Sequence, residues 1–258
     1  MIKLDNQEQF MIASERKNFI LQALEKKGIV SIKELAQEMN IAEITVRRDF
    51  EKLESQGLLK RVQGGAIREE SSDVAELTMQ KKSVVNADLK KLVAEAAAKT
   101  VKDGDCVFID AGTSPSYLID YLSDKHVMVV TYNELIAQRV SKPILPEIYM
   151  LGGRYVPGFS MYSGADTQNA MNKYHFDIAF IGCTSLDFSS NAAYSSDLES
   201  NVIKKLAIAN SERSILLIDH SKINRKAMLS FASLDVFESI ICDSCDIPHL
   251  PNNFKTVS

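Results

Sequence analysis

The sequence predicts an α/β protein in two parts: an N-terminal winged helix-turn-helix and a C-terminal, mostly parallel α/β domain. Helical patterns fill the first part, and short Val/Ile-rich strands alternate with helices in the second. Between them the composition shifts to a polar run near residue 69 that lacks apolar periodicity. The expected organisation is therefore a winged helix-turn-helix at residues 1–68, a linker at 69–85 and the α/β domain at 86–258.

Three helices are predicted in the first part. Apolar residues recur at helical spacing over Glu15–Lys26, and Gly28 is suited to a C-terminal cap. Ser31 and Glu34 have the spacing of a capping box that begins a second helix. A third helix is expected over Glu43–Ser55, after a short turn, and residues 58–66 are typical of a small β-hairpin, the wing.

The third helix has the character of a DNA recognition helix. Val46, Phe50 and Leu53 share one face, whereas the other side is polar and largely basic. Arginine can pair with guanine edges or phosphates, and Thr45 could contact a phosphate or a thymine methyl group. A solvated charged face is the alternative, but a complete three-helix pattern favours DNA binding. The candidate DNA-binding residues are Ser31, Thr45, Arg47, Arg48, Lys52, Lys60 and Arg61.

The charge distribution is compatible with this interpretation. The whole chain carries a net charge of −4, yet residues 14–68 contain 11 basic and 8 acidic side chains. An acidic protein can bind DNA when its positive charge is concentrated in one small part. The sequence shows neither a signal peptide nor an apolar stretch long enough to span a membrane, so a cytoplasmic location is expected.

Four cysteines are present, and Cys242 and Cys245 form a C-x-x-C pair. This spacing could represent half a zinc site, a redox pair or two reduced thiols at a strand end. No second pair completes a metal site in the sequence, so reduced thiols are favoured, and neither a metal nor a cofactor is expected.

Small and polar residues follow several predicted strands of the second part. Asp110–Ser114 lies between a strand and a helix, where an open α/β sheet places its ligands. Glycine allows close approach of an anion, and hydroxyls and backbone N–H groups can hold phosphate oxygens. A tight turn with an N-cap would explain this segment alone. Similar residues after later strands (131–133, 151–154, 181–185 and 219–222) instead favour a shared ligand site.

The first part contains a series of short motifs in a fixed order: Glu15-Arg16, Ser31–Ala36, Thr45–Phe50, Leu53, Gly57-Leu58, Arg61-Val62 and Gly64–Ala66. Together they closely resemble the DNA-binding domain of DeoR-type bacterial repressors. Two departures from that family are Ala42, where serine is usual, and Gln63, where histidine is common. The loss of a capping side chain at Ala42 would cost about 1 kcal/mol.

The second part resembles the effector domain of the same family, which is similar in fold to ribose-phosphate isomerases and generally senses phosphorylated sugars. Asn133 stands one place later than in the family motif, and the helical lysine of the family matches Lys204 or Lys205. The resemblance implies an effector site formed by Asp110, Gly112, Thr113, Ser114, Thr131, Gly152, Gly153, Gly182 and Lys222.

The resemblance implies a transcriptional regulator rather than an enzyme. We expect a repressor of a carbohydrate-utilisation operon that binds operator DNA as a homo-oligomer and is released by a phosphorylated sugar. The alternative is an isomerase-like enzyme with an accessory DNA-binding domain. Residues 164–166 resemble part of an isomerase motif, but Thr167 and Gln168 replace the acid that catalysis would need. An architectural DNA-binding protein would leave the large second domain unexplained.

Overall fold

The computed structural model describes residues 11–67, 79–140, 146–245, 247–248 and 250–257. The chain divides into two compact units, Met1–Glu76 and Leu77–Ser258. We refer to them as the head and the sensor domain.

The head is a three-helix unit with a small sheet. Its helices are α1 (Ala13–Lys27), α2 (Ile32–Glu38) and α3 (Glu43–Ser55), and its strands are β1 (Ile29–Ser31), β2 (Lys60–Val62) and β3 (Gly65–Ile67). The strands pair antiparallel in the order β1-β3-β2. The predicted helices and wing are confirmed. Strand β1 was not predicted, because three residues are too few for an alternating pattern to be recognised.

The α3 face that was predicted to be apolar forms the centre of the head. Val46, Phe50 and Leu53 are buried together with Ile20 of α1 and Leu35 of α2. Gly28 ends α1 with φ 72°, a left-handed conformation that glycine adopts without steric cost. The packing orients α3 so that its polar side is available to a partner.

The sensor domain contains the remaining elements. Its helices are α4 (Met79–Val84), α5 (Ala87–Ala98), α6 (Thr113–Ser116), α7 (Glu134–Arg139), α8 (Ala165–Met171) and α9 (Leu198–Ala209). Its strands are β4 (Cys106–Ile109), β5 (Met128–Thr131), β6 (Glu147–Met150), β7 (Arg154–Val156), β8 (Met161–Ser163), β9 (Phe176–Gly182), β10 (Ser185–Asp187), β11 (Ala192–Ser195), β12 (Ser211–Ile218), β13 (Leu229–Ser233), β14 (Ser239–Cys242) and β15 (Phe254–Thr256).

A parallel sheet forms the centre of the sensor domain and confirms the predicted fold class. In the described residues it has seven strands in the order β15-β14-β12-β9-β4-β5-β6. Val107 and Ile109 of β4 belong to the apolar core on one face, and Phe108 belongs to the core on the other. Both faces are thus covered, which is why the strands are almost continuously apolar.

The structure differs from the prediction at the start of the sensor domain. Residues 79–84 of the expected linker form helix α4, and residues 69–78 lie outside the described residues. The helix expected after Asp110–Ser114 is the four-residue α6 followed by a 3-10 helix at Tyr117–Tyr121. A second sheet, β10-β11-β13, and the hairpin β7-β8 were also missed. Their strands are short, so neighbouring elements rather than local periodicity determine them.

Candidate nucleic-acid interface and ligand site

The outer side of α3 presents the predicted arginines. Arg47 and Arg48 are both exposed, and Lys52 is exposed one turn further along. Arg47 makes a loose pair with Glu43, with 3.7 Å between nitrogen and oxygen, whereas Arg48 has no ion pair within the described residues. An exposed pair of this kind contributes little to stability, so both guanidinium groups are available to a partner.

An ion pair between α1 and α3 fixes the orientation of the recognition helix. Arg16 Nε donates to Asp49 Oδ2 at 2.7 Å, and Arg16 Nη2 donates to Asp49 Oδ1 at 3.2 Å. This two-point contact restrains rotation as well as distance. It adds a polar restraint beside the apolar core, and it explains why a carboxylate directly follows the two outward-facing arginines.

The wing is also attached to α3. Arg61 Nη1 lies 2.9 Å from Glu51 Oε1, Arg61 Nε lies 3.2 Å from Glu54 Oε2, and the backbone N–H of Arg61 donates to Glu54 Oε1. Lys60, by contrast, is exposed without an ion pair within the described residues. The structure therefore gives Arg61 a role in holding the wing, in addition to the DNA contact predicted for it.

Ser31 and Thr45 have more restricted positions than the basic residues. Ser31 is the N-cap of α2, where its Oγ accepts from the N–H of Glu34 at 3.5 Å. Thr45 is half-buried and lines a groove beside α2 together with Gln37 and Asn40. Ala42 is the N-cap of α3 and supplies no side-chain hydrogen bond, as expected from its methyl group. DNA contacts by Ser31 and Thr45 stay predictions.

The candidate ligand site lies in the sensor domain, where residues directly after β4, β5, β6, β9 and β12 meet. We call these residues, together with the last residues of β5 and β9, the strand-end edge: 110–114, 131–133, 151–153, 182–184 and 219–222. Asp110 lies at its centre and is fully buried. Its carboxylate accepts from Tyr132 Oη at 2.6 Å and from the N–H of Gly182 at 2.9 Å, and it forms an ion pair with Lys204 of α9.

The contacts of Asp110 change the role expected for it. All three partners come from other elements, and the carboxylate has no exposed surface. A buried carboxylate needs such partners because desolvation disfavours its charge. Asp110 is therefore positioned to join β4, β5, β9 and α9, and to hold the loop that follows it.

Two glycines among the predicted effector-site residues, Gly112 and Gly182, let the strand ends approach each other. A Cβ on Gly112 would lie 3.2 Å from the Cα of Gly182, and a Cβ on Gly182 would lie 3.2 Å from the Cα of Gly112. Thr131 is fully buried, with its Oγ1 donating to the carbonyl of Ile109 at 2.6 Å. These three residues shape the edge from within.

The segment after β4 carries two hydroxyl groups that are free to bind a ligand. The side-chain hydroxyls of Thr113 and Ser114 make no hydrogen bond to any described residue, although both residues are largely buried. The loop itself is held from behind, because Asn133 Nδ2 donates to the carbonyl of Asp110 at 3.1 Å. The hydroxyls therefore have donor and acceptor capacity left on a restrained backbone.

Lys222 supplies positive charge at the same edge. It ends a 3-10 turn at His220–Lys222, and the N–H of His220 donates to Asp243 Oδ1 at 2.7 Å. Lys222 forms no ion pair with a described residue, but its charge helps to lower the pKa of the nearby Asp219 despite the burial of that carboxylate.

Cys183, directly after β9, lies close to charged side chains from several segments of the edge. Burial raises the pKa of the Cys183 thiol to about 12, and the charges of Lys222, Lys204, Asp219 and Asp110 also act on it. The segments after β4, β9 and β12 thus surround one small region, as predicted from their common position at the ends of parallel strands.

The two predicted glycines after β6 differ from each other. Gly152 is exposed, and its carbonyl accepts from Thr167 Oγ1 at 2.7 Å. Gly153 has φ 138°, and a Cβ there would lie 2.7 Å from the carbonyl oxygen of Ser163. Close packing against β8 and α8 therefore accounts for glycine at 153. Thr167, which replaces an isomerase acid, is buried in this contact, and Asp166 is exposed.

Two residues that contact Asp110 were not assigned from the sequence: the helical lysine was left open between Lys204 and Lys205, and Tyr132 was not predicted. Lys204 is buried against Asp110, and Lys205 is exposed, so the structure selects Lys204. Tyr132 is fully buried, and burial followed by the charge of Asp110 raises its pKa well above 10. The helical period of α9 could have identified Lys204, since it shares a face with the buried Asn201 and Ala207.

The C-x-x-C pair is present as free thiols in the structure. Cys242 is buried at the end of β14, and Cys245 is partly exposed. The described residues contain no cluster of three or more His, Cys, Asp or Glu side chains able to hold a metal ion. In the same residues, no helix combines the length and apolar character needed to cross a membrane.

Comparisons with known proteins agree with both halves of the structure. Residues 16–72 match the DeoR-like helix-turn-helix domain, and residues 85–244 match the DeoR C terminal sensor domain. The chain is 32% identical over 251 residues to the uncharacterized HTH-type transcriptional regulator FruR of Bacillus subtilis, covering 96% of this chain and 98% of that protein. It is 26% identical over 234 residues to the lactose phosphotransferase system repressor of Staphylococcus aureus, covering 89% and 91% respectively.

Among solved structures, ribose 5-phosphate isomerase A of Methanocaldococcus jannaschii aligns with a TM-score of 0.39 and 21% identity, covering 54% of this chain and 55% of that one. The two family models together span both units, and the likeness to FruR extends over nearly the whole chain. The chain therefore belongs to the DeoR family of DNA-binding transcriptional regulators.

Proposed function

We propose that the protein represses a carbohydrate-utilisation operon, and that a phosphorylated sugar bound at the strand-end edge releases the operator. The observation that carries this proposal is the pair of buried hydroxyls at Thr113 and Ser114, which have no hydrogen-bond partner among the described residues, on a sheet edge to which Lys222 adds positive charge. Hydroxyls and an ammonium group together suit a phosphate and a polyol. A related protein named as a lactose phosphotransferase system repressor supports a sugar as the signal.

Within this proposal, the predicted site residues divide into two groups. Thr113, Ser114, Gly152 and Lys222 contact the ligand, whereas the remaining residues hold the edge in shape: Asp110, Gly112, Thr131, Gly153 and Gly182. Binding without turnover is favoured because Asp110 is fully buried and engaged by three partners, so its carboxylate has no exposed surface from which to take a substrate proton. The protein then acts in the cytoplasm, where its operator lies.

Helix α4 connects the proposed ligand site with the chain that leads to the head. Tyr117, just after α6, donates from Oη to the carbonyl of Ser83 at 2.8 Å. Lys90 Nζ donates to the carbonyls of Lys82 and Val85 at 2.6 and 2.7 Å. Through these hydrogen bonds, a ligand that shifts α6 would also shift α4. The ligand would then favour one of two positions of α4 over the other.

We also propose a homo-oligomer. Each chain has one reading head, and one helix-turn-helix contacts few base pairs, so two heads on a repeated site multiply affinity and specificity. Light scattering of the full chain with and without operator should give at least the mass of a dimer, and a monomer in both states would contradict it.

A ligand screen tests the proposed signal. Sugar phosphates and the matching unphosphorylated sugars are added to the full chain, and the melting temperature is followed, because a ligand of the folded state raises it. At least one sugar phosphate should stabilise the protein, and Lys222→Met and Thr113→Ala should weaken its binding roughly tenfold, as the loss of a charge-assisted bond would. The exposed Lys205→Met is the matched control. Stabilisation by no sugar phosphate, or unchanged binding in both variants, would refute the site.

A further inference from the structure

Helix α3 carries one large apolar side chain on its outer surface, and this side chain does not pack into the core of the head. All residues of α3 are described, and Ile44 is the only large hydrophobic residue among them that is exposed, with 57% of its surface accessible. The remaining outward positions are polar or charged. A β-branched apolar residue is also no aid to the first turn of a helix.

The position of Ile44 relative to Arg48 is specific. At 3.6 residues per turn, the two residues lie one turn apart on a line opposite the buried Val46, Phe50 and Leu53. Ile44 is the second residue of the helix, in the half that a helix-turn-helix presents to the base edges. Ile44 and Arg48 therefore enter the groove together when α3 docks.

The major groove offers one apolar group to such a side chain. Of the four bases, only thymine displays a methyl group there, and apolar contact with that methyl group is a recognised way of reading it. Thr45, the other residue considered for this contact, is half-buried and faces the groove beside α2. Ile44 is the better-placed residue.

We infer that Ile44 is a specificity-determining residue, which packs against the methyl group of a thymine one helical turn from the base or phosphate bound by Arg48. This inference rests on the DNA-reading role of α3 and is independent of the proposed sugar phosphate. A contact between Ile44 and a thymine would help the protein to distinguish one DNA sequence from another, whereas contacts to phosphate do not do so directly.

The test removes the methyl group from the DNA. The full chain first selects its operator from random duplexes, and each thymine of the selected site is then replaced singly by deoxyuridine, which pairs identically but lacks the methyl group. Affinity is measured at fixed salt for the unmodified protein and for Ile44→Ala, Ile44→Val and Thr45→Val. Urea unfolding of each variant checks the fold, which an exposed position should leave intact.

The unmodified protein should lose about three- to tenfold in affinity at one thymine per half-site, as expected for a single apolar contact. Ile44→Ala should lose a similar factor on the selected operator with all its thymines, and it should then show no further loss with deoxyuridine at that position. Ile44→Val should retain part of the sensitivity, and Thr45→Val all of it.

Two results would overturn the inference. Deoxyuridine sensitivity that persists unchanged in Ile44→Ala would assign the methyl contact to another residue. An unmodified protein whose affinity does not change when any thymine is replaced by deoxyuridine would show that no such contact exists. A selected operator that contains no thymine would show the same. Failure to select any sequence would refute the DNA-reading role itself together with the inference, and it would leave the screen for sugar phosphates unaffected.

Discussion

Asp110 and Lys204 form the buried pair that supports the proposed ligand site, and their environment makes the pair sensitive to the loss of either charge. Both side chains are almost inaccessible to solvent. In such a place, one charge alone is far more costly than the pair, because the low dielectric medium does not stabilise it. The hydrogen bonds from Tyr132 and Gly182 satisfy the carboxylate but cannot neutralise it.

Replacement of Lys204 should therefore destabilise the sensor domain strongly. We expect Lys204→Met to lower the free energy of unfolding by about 3–5 kcal/mol, since it leaves Asp110 buried without a counter-ion. Lys205→Met on the exposed side of α9 should change it by no more than about 0.5 kcal/mol. Urea unfolding of both variants distinguishes them, and equal stabilities would contradict the role assigned to the pair.

Lys90 gives a prediction that depends on pH. Burial lowers the pKa of its ammonium group to about 8, outweighing the favourable charge of Asp219. Its pKa in the unfolded chain is the ordinary value of 10.5. Between these values the unfolded chain binds more protons, so the free energy of unfolding should rise with pH across this window. Below pH 8 the cost of the buried charge is fully present.

The contribution of Lys90 is isolated by a variant that does not titrate. Relative to Lys90→Met, the native chain should gain roughly 3 kcal/mol between pH 8 and 10.5, because each pKa unit corresponds to about 1.4 kcal/mol. Lost hydrogen bonds in the variant add only a constant offset. Denaturant titrations of both proteins at several pH values measure the difference, and parallel pH profiles would contradict the buried charge.

At the scale of elements, helix α4 is one of the features that were not predicted from the sequence. It has six residues in a segment with a polar beginning, so its formation depends on carbonyl contacts with Tyr117 and Lys90. Those contacts join residues that are separated by up to 34 positions, which no local pattern reveals. The wing and α3, by contrast, have local determinants and were predicted.

Tyr117→Phe should weaken the coupling between the two proposed sites. The change removes one hydroxyl and its bond to Ser83, a loss of about 1 kcal/mol, while the ring stays in place. The effect of the sugar phosphate on operator affinity should fall about fivefold in a gel-shift titration. Tyr121→Phe on the same 3-10 helix is the control, because its hydroxyl makes no hydrogen bond to a described residue. Undiminished coupling in Tyr117→Phe would show that α4 does not transmit the signal.

For the whole molecule, the fold class followed from the sequence more completely than the site did. The inner strands β4, β5, β9, β12 and β14 were recognisable in the sequence as short Val/Ile-rich segments, because strands buried on both faces are almost continuously apolar. The edge strand β15 was missed, since Phe254–Thr256 contains one strongly apolar residue. The site segments were also predicted, but their residue roles depend on distant partners such as Asp110 and Lys204, 94 positions apart.

Under the proposed function, one chain both reads DNA and responds to a sugar phosphate, so the two binding events must be coupled. Operator affinity is measured by fluorescence anisotropy while the best ligand of the screen is titrated, and ligand affinity is then measured with and without operator. Thermodynamic linkage requires the two effects to be equal. We predict that the ligand weakens operator binding at least tenfold, that the operator weakens ligand binding by the same factor, and that Lys222→Met reduces both. Operator affinity that is unchanged at saturating ligand would contradict the account.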